Sequence, residues 1–334
     1  MMMNNRYSRF SNPSEPDTAA PPAELGLGCW SFGDSYWRHP DIKKGPIPSP
    51  WIRKYKKIIE TAIKSGITHF DTAQGYGNGI SEQLTGQQLK PVRPKIIIAT
   101  KTYYRPPETI RKGVEISLKR LQTDYIDIFY LHWPKPGRDL RPHMEALESE
   151  RREGRIRHIG VSNFHPVQIR PLLEAGQVDY CQFGYSLLWR APEKSLVPFC
   201  LRNGIKMVSY SSLAQGVLGH DPTWLRHLPR SDPRKKLLIA GPEVLPRIEE
   251  AIAGLNKEAS ALGVSPAQLA LGWNLSRAWF KYVLFGVRTL SQLDECVRSA
   301  HLVLPAETLR RIESITSPLA ELFSEDDNIF GHRP

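Results

Sequence analysis

The sequence predicts an α/β fold, a (β/α)8 TIM barrel in a single domain with a long flap between strands 7 and 8. Three observations predict it. Eight short apolar runs recur along the chain, longer amphipathic segments separate them, and no proline-rich or Ser/Gly linker divides the 334 residues. Parallel strands covered on both faces read as near-continuous apolar runs, and eight βα units close into a barrel.

The apolar runs are ELGLGCW (24–30), ITHF (67–70), KIIIATK (95–101), YIDIFYL (125–131), IRHIGVS (156–162), VDYCQFG (178–184), IKMVSY (205–210) and YVLFGV (282–287). Helical patterns lie between them. In residues 52–66, Tyr55, Ile58, Ile59 and Ala62 share one face and Gly66 ends the turn. Residues 107–121 place Ile110, Val114, Leu118 and Leu121 on one face behind Pro107. Ser265 precedes Pro266 as a cap for a helix over 265–279. Residues 217–245 are long, polar and basic, and are expected to form a mobile flap or a disordered insertion. Residues 1–22 are polar and proline-rich, and are expected to be a mobile tail ahead of a barrel spanning 23–334.

Composition narrows the function. The formal net charge is +11, but the basic residues are spread along the chain in short runs such as Arg151-Arg152. No arm interleaves basic and aromatic residues as a nucleic-acid track would, so a small anionic partner is the simpler account and no nucleic acid is expected. Cys29, Cys181, Cys200 and Cys296 show no zinc-type spacing, and no metal is expected. No apolar run approaches the ~20 residues of a membrane span, and the N-terminus lacks the apolar core of a secretory signal. A cytoplasmic location with reduced cysteines is expected. Neither LGLGCWSFG nor GYGNG has the G-x-G-x-x-G spacing of a dinucleotide-binding doubly wound sheet.

Catalytic groups of such barrels sit where strands end, on the C-terminal rim. Asp71 ends the ITHF strand, Tyr76 follows in a Gly-rich loop, Lys101 ends KIIIAT, and His132 ends YIDIFYL. Singly, each has an ordinary structural role as a turn starter, a loop aromatic, a solvated strand end or a core histidine. Together they suit carbonyl reduction. An alkoxide formed at the carbonyl needs a proton, and a tyrosine can give one. A neighbouring lysine is expected to lower the phenol's pKa from ~10, a carboxylate holds that lysine, and a histidine orients the carbonyl oxygen.

The sequence resembles the aldo-keto reductase superfamily over residues 24–316. The segments that carry the resemblance are LGLGCWSFG, GITHFDTAQGYGNGISEQLTG, IIIATK, DYIDIFYLHWP, IRHIGVSNF, YCQFGYSLLWR, GIKMVSYSSLAQGVLG and LFGVRTLSQLDE. The resemblance implies a catalytic tetrad of Asp71, Tyr76, Lys101 and His132, with Tyr76 as general acid. It implies NADPH/NADP as cofactor. Ser162, Asn163 and Gln182 would meet the nicotinamide carboxamide and Tyr210 would stack on its ring. Ser211, Leu213, Gln215 and Gly216 would form the pyrophosphate loop, and Gly286, Arg288, Gln292 and Glu295 the adenosine end. Arg288, expected to open the last barrel helix, would pair with a 2′-phosphate.

Cys296 stands where the family commonly has an asparagine on adenine, and the stretch before Leu25 shows no floor-covering hairpin. Trp30, Tyr103 and Trp133 are expected to bind substrate, with Trp37, Tyr104 and Trp189 as further candidates for an aromatic wall. The expected partner is a small carbonyl or alcohol. The resemblance leaves a second role open, a cofactor-sensing regulatory subunit like the β-subunits of potassium channels. A nucleic-acid-binding barrel rests only on the net charge.

Overall fold

The computed structural model describes residues 23–37, 49–103, 105–135 and 137–332, and of 34–37 the backbone alone. The expected tail over 1–22 and Tyr104 lie outside the described residues, as does the side chain of Trp37. Eight strands form a closed parallel barrel in sequence order: β1 (Glu24–Gly28), β2 (His69–Asp71), β3 (Ile97–Thr102), β4 (Ile126–Leu131), β5 (Ile156–Ser162), β6 (Tyr180–Gly184), β7 (Lys206–Tyr210) and β8 (Phe280–Phe285). β8 pairs back onto β1 through Leu25–Val283 and Gly26–Leu284. Each of the eight apolar runs overlaps one of these strands.

The helices are α1 (Trp30–Trp37), α2 (Ser49–Lys64), α3 (Ile80–Leu89), α4 (Ile110–Leu121), α5 (Arg141–Arg152), α6 (Pro166–Ala175), α7 (Leu196–Arg202), α8 (Trp224–His227), α9 (Leu245–Ala261), α10 (Pro266–Leu275), α11 (Leu290–Arg298) and α12 (Ala306–Ala320). Tyr55, Ile58, Ile59 and Ala62 are the buried face of α2, as their spacing predicts. Ser265 caps α10 in a reciprocal box with Gln268, which satisfies two N–H groups that the first turn leaves over.

Two departures concern loops. The stretch 217–245 is not an irregular insertion. It folds as short helical turns that bury Leu225, Leu237 and Ile239. Arg288 does not open the last barrel helix: α11 starts at Leu290, and the Thr289 hydroxyl accepts from the Gln292 N–H at 3.2 Å as its cap.

Aliphatic side chains fill the layer between strands and helices. The barrel interior is more aromatic, with Tyr130, Tyr180, Tyr282 and His69 buried among Ala99, Ile128, Val208 and Leu284. Tyr130 needs the room that Gly160 leaves on the neighbouring strand, since a β-carbon there would stand 2.3 Å from its ring. This packed interior supports the polar groups above it.

Candidate active site

Side chains two apart on a strand share a face. Asp71 therefore points into the barrel one step above His69, and Lys101 one step above Ala99. Their strands are neighbours, with Asp71 registered on Ala99. The Lys101 ammonium is fully buried and donates to Asp71 Oδ1 at 2.5 Å and to the Thr72 carbonyl at 2.9 Å. Its third contact is the Tyr76 hydroxyl at 3.5 Å. Tyr76 comes from the turn after β2. His132 follows β4, and its ring meets Tyr76 edge-on with centroids 5.7 Å apart. The four residues that the strand-end pattern singles out are brought together on one rim.

Burial governs their acidity. The phenol of Tyr76 is held well above its usual pKa of 10, first by desolvation and then by the Asp71 carboxylate. The expected lowering by Lys101 is thus outweighed. Desolvation also lowers Lys101, against the upward pull of Asp71. His132 is pushed well below 6.5 by burial and by the Lys101 ammonium, so it is neutral at physiological pH. Its Nδ1 is buried without a hydrogen-bond partner among the described residues.

A second cluster adjoins the tetrad. Ser162 ends β5 and is buried, and Asn163 follows in the left-handed region at φ 68°. The Asn163 amide donates to the His132 carbonyl at 3.0 Å, and its oxygen accepts from the Tyr210 hydroxyl. Gln182 is buried at the top of β6, where its amide donates to Asp71 Oδ2 at 2.8 Å. The segment after β7 is a cradle. Ser211, Ala214, Gln215 and Gly216 all have positive φ, and a β-carbon on Gly216 would meet nothing within 4 Å. Successive backbone N–H groups in such turns make anion-binding concavities, so this loop fits a pyrophosphate. Leu213 lies at the start of the loop, half-buried.

The remaining positions lie beside β8 and α11. Gly286 is exposed next to Gly28, and the Arg288 N–H donates to the Gln292 side chain at 2.8 Å. Glu295 is half-buried on α11, while Cys296 is buried in the core beneath that helix.

Aromatic residues ring the mouth. Tyr103 lies nearly flat on His132, with centroids 4.9 Å apart, and is half-exposed together with Trp30. Trp133 is half-buried against Phe330 and His332. Trp189 is not on the mouth. It is buried against Phe323 at 4.5 Å, so its place in an aromatic wall is corrected to core packing.

The sequence reading missed the segment after α12. Ile329 is fully buried, and its carbonyl accepts from the Leu238 N–H at 3.1 Å. Phe330 lies nearly parallel to Tyr210, with centroids 6.4 Å apart. Asp326 reaches the His165 Nε2 at 3.3 Å. The signal was present in FSEDDNIFGHRP, where Ile329, Phe330 and His332 interrupt an otherwise polar end. Among the described residues no helix is long and apolar enough to cross a membrane.

The aldo/keto reductase family model matches residues 24–317. The chain belongs to that family. Its members are oxidoreductases. Aldo-keto reductase YhdN of Bacillus subtilis is 31% identical over 316 residues, covering 90% of this chain and 91% of its own. The NADH-specific methylglyoxal reductase of Escherichia coli is 34% identical over 223 residues, 59% of this chain and 65% of its own. Among solved structures, the glycerol dehydrogenase AKR11B4 of Gluconobacter oxydans superposes with a TM-score of 0.76 at 26% identity, covering 91% of this chain and 94% of that one.

Proposed function

We propose that this aldo/keto reductase reduces an aldehyde or ketone to an alcohol with NADPH, and that Tyr76 supplies the proton. The observation that carries the reading is the Tyr76 hydroxyl set 3.5 Å from a buried ammonium that is itself fixed by Asp71. Bound NADPH would supply two electrons and a hydrogen to the carbonyl carbon. The chain's residues handle the oxygen. As the carbonyl π pair moves onto oxygen, that oxygen takes the Tyr76 proton, and the phenolate left behind is stabilised by Lys101. The phenol recovers its proton from solvent. A tyrosine kept protonated by burial is in the right state to donate at neutral pH, and a neutral His132 donates a hydrogen bond to the carbonyl oxygen without adding charge.

Aldo-keto reductases have been solved with NADP and NADPH bound, and the residues present fit such a cofactor. Tyr210 offers a ring face, Ser162, Asn163 and Gln182 offer amide and hydroxyl groups for a carboxamide, and Ser211, Leu213, Gln215 and Gly216 line the phosphate cradle. Gly286, Arg288, Gln292 and Glu295 would hold the adenosine end. Trp30, Tyr103 and Trp133 would enclose a small, partly apolar substrate and keep water from the reacting oxygen.

The test is Tyr76→Phe. Loss of a general acid lowers rate by typically ~10²–10⁴-fold, while the NADPH dissociation constant, read from tryptophan fluorescence, should stay near that of the unaltered chain. Undiminished kcat with an aldehyde panel would end the assignment.

A further inference from the structure

Asp71 has two carboxylate oxygens, and the structure commits both. Oδ1 holds Lys101, and Oδ2 accepts from Gln182 at 2.8 Å. The direction of the second bond is forced by chemistry, because a carboxylate only accepts and the amide must present its nitrogen. The partners are 111 residues apart. They sit on β2 and β6, four places apart in a closed order of eight strands, so the bond spans the barrel. Both residues are buried. The Gln182 side chain also lies beside the Tyr130 hydroxyl, and across the β5–β6 register Gln182 stands opposite Ser162.

We propose that Gln182 is a positioning residue that ties the cofactor's carboxamide to the Asp71–Lys101 pair. Its N–H side orients Asp71, and its oxygen is the acceptor for the carboxamide. Cofactor docking and the setting of the proton donor then share one side chain. This rests on the reading of Tyr76 as acid only for its effect on rate; the link between Asp71 and cofactor binding stands apart from it.

The groups facing Tyr76 are Asp71, Lys101, Tyr103, Tyr210, Cys29 and His132. Those facing Asp71 include Lys101, Gln182 and the buried Tyr130. Without the Gln182 N–H, the carboxylate turns more of its negative charge on Lys101 and neutralises it more fully. The Tyr76 phenolate then loses support, and the alkaline limb of alcohol oxidation moves upward.

The experiment is a double-variant cycle of Gln182→Met, which keeps side-chain length and removes the amide, with Asp71→Asn. NADP+ dissociation constants are read from tryptophan fluorescence and pH profiles from alcohol oxidation. Asp71 does not belong to the carboxamide cluster, yet Asp71→Asn should weaken NADP+ binding, and that effect should vanish when Gln182 is already Met. Gln182→Met should also raise the alkaline limb by on the order of half a unit, and only while Asp71 is present. Additive effects on NADP+ binding, or an unmoved limb, overturn the proposal. If Gln182→Met does not fold, Gln182→Asn keeps an amide one methylene short of Asp71 and should behave alike. Tyr76→Phe run in parallel separates the two claims: full turnover in that variant removes the acid assignment and leaves the binding cycle to decide on Gln182.

Discussion

Gly33 and Gly77 meet backbone to backbone. A β-carbon on Gly33 would stand 2.4 Å from the Gly77 nitrogen, and one on Gly77 would stand 2.7 Å from the Gly33 α-carbon. Gly77 also holds φ 58°, a conformation that glycine adopts without the cost of a side chain. Helix α1 thus presses directly on the turn that carries Tyr76.

Gly33→Ala should therefore act on catalysis as well as stability. Over-packing typically costs ~1–3 kcal/mol, and a displacement of about 1 Å at a reacting group lowers rate by up to about a hundredfold. We expect kcat to fall while NADPH affinity holds, because the cradle after β7 belongs to other elements than α1 and the Tyr76 turn. Steady-state kinetics beside a fluorescence titration checks it. Equal losses in both would mean that the barrel top as a whole has shifted.

Lys101→Met should raise the pH at which alcohol oxidation reaches half its maximum. Oxidation needs the phenolate of Tyr76 as base. Burial already holds that phenol above its ordinary range, and the ammonium 3.5 Å away is the group that favours the charged form. Removing it moves the limb further up and lowers the rate at any fixed alkaline pH. An identical profile would dissociate Lys101 from the titration.

The limits of legibility lie in direction and distance. Asp71, Lys101 and His132 could be read from the sequence because a polar residue closing an apolar strand of a barrel has one rim to occupy. Trp189 could not, since nothing local tells whether a loop indole turns toward the mouth or toward Phe323. Gln182 was readable as a strand-end amide, but its bond to Asp71 crosses the barrel and depends on the closure of all eight strands. The raised phenol of Tyr76 was missed for a related reason. Charge neighbours can be guessed from spacing, whereas desolvation is a property of the assembled site. Phe330 and Ile329 follow the last helix, where no periodicity signals their return to the rim.

His69 should make the fold acid-sensitive. Burial, aided by the Lys101 and Lys281 ammonium groups, pushes its pKa down to about 3, while an unfolded histidine titrates near ~6.5. The unfolded chain binds the extra proton, so the contribution is fully present above ~6.5 and is lost as pH falls toward 3. At pH 5 the loss is roughly 2 kcal/mol. His69→Leu should flatten the decline of the urea midpoint between neutrality and pH 5. An unchanged slope would assign the sensitivity to other groups, such as His132.

Arg288→Ala should erode preference for NADPH over NADH. Arg288 stands just before the Thr289 cap of α11, where a guanidinium and a helix N-terminus both favour an anion. A charge-assisted contact is worth roughly 1.5–3 kcal/mol, or about ten- to a hundredfold in affinity. NADPH should lose that factor and NADH should lose little. Titration of both cofactors decides it, and equal losses would place the 2′-phosphate elsewhere. The NADH-specific relative in Escherichia coli makes the comparison informative.

The segment from Asp326 to His332 reaches the rim through Asp326 on His165, Ile329 on Leu238, Phe330 on Tyr210 and Trp133, and His332 on Trp133. Asp71 and Lys101, by contrast, stand on strands whose backbone groups are paired on both sides. Heritable change can therefore reshape the mouth without disturbing the chemistry beneath it. Exchanges after α12 at positions other than the buried Phe323 and Ile329 meet fewer packing constraints than the same changes in β2 or β3, which would break the barrel. Descendants of this sequence have an inexpensive route to altered selectivity, and it runs through the last dozen residues before the tetrad is ever touched.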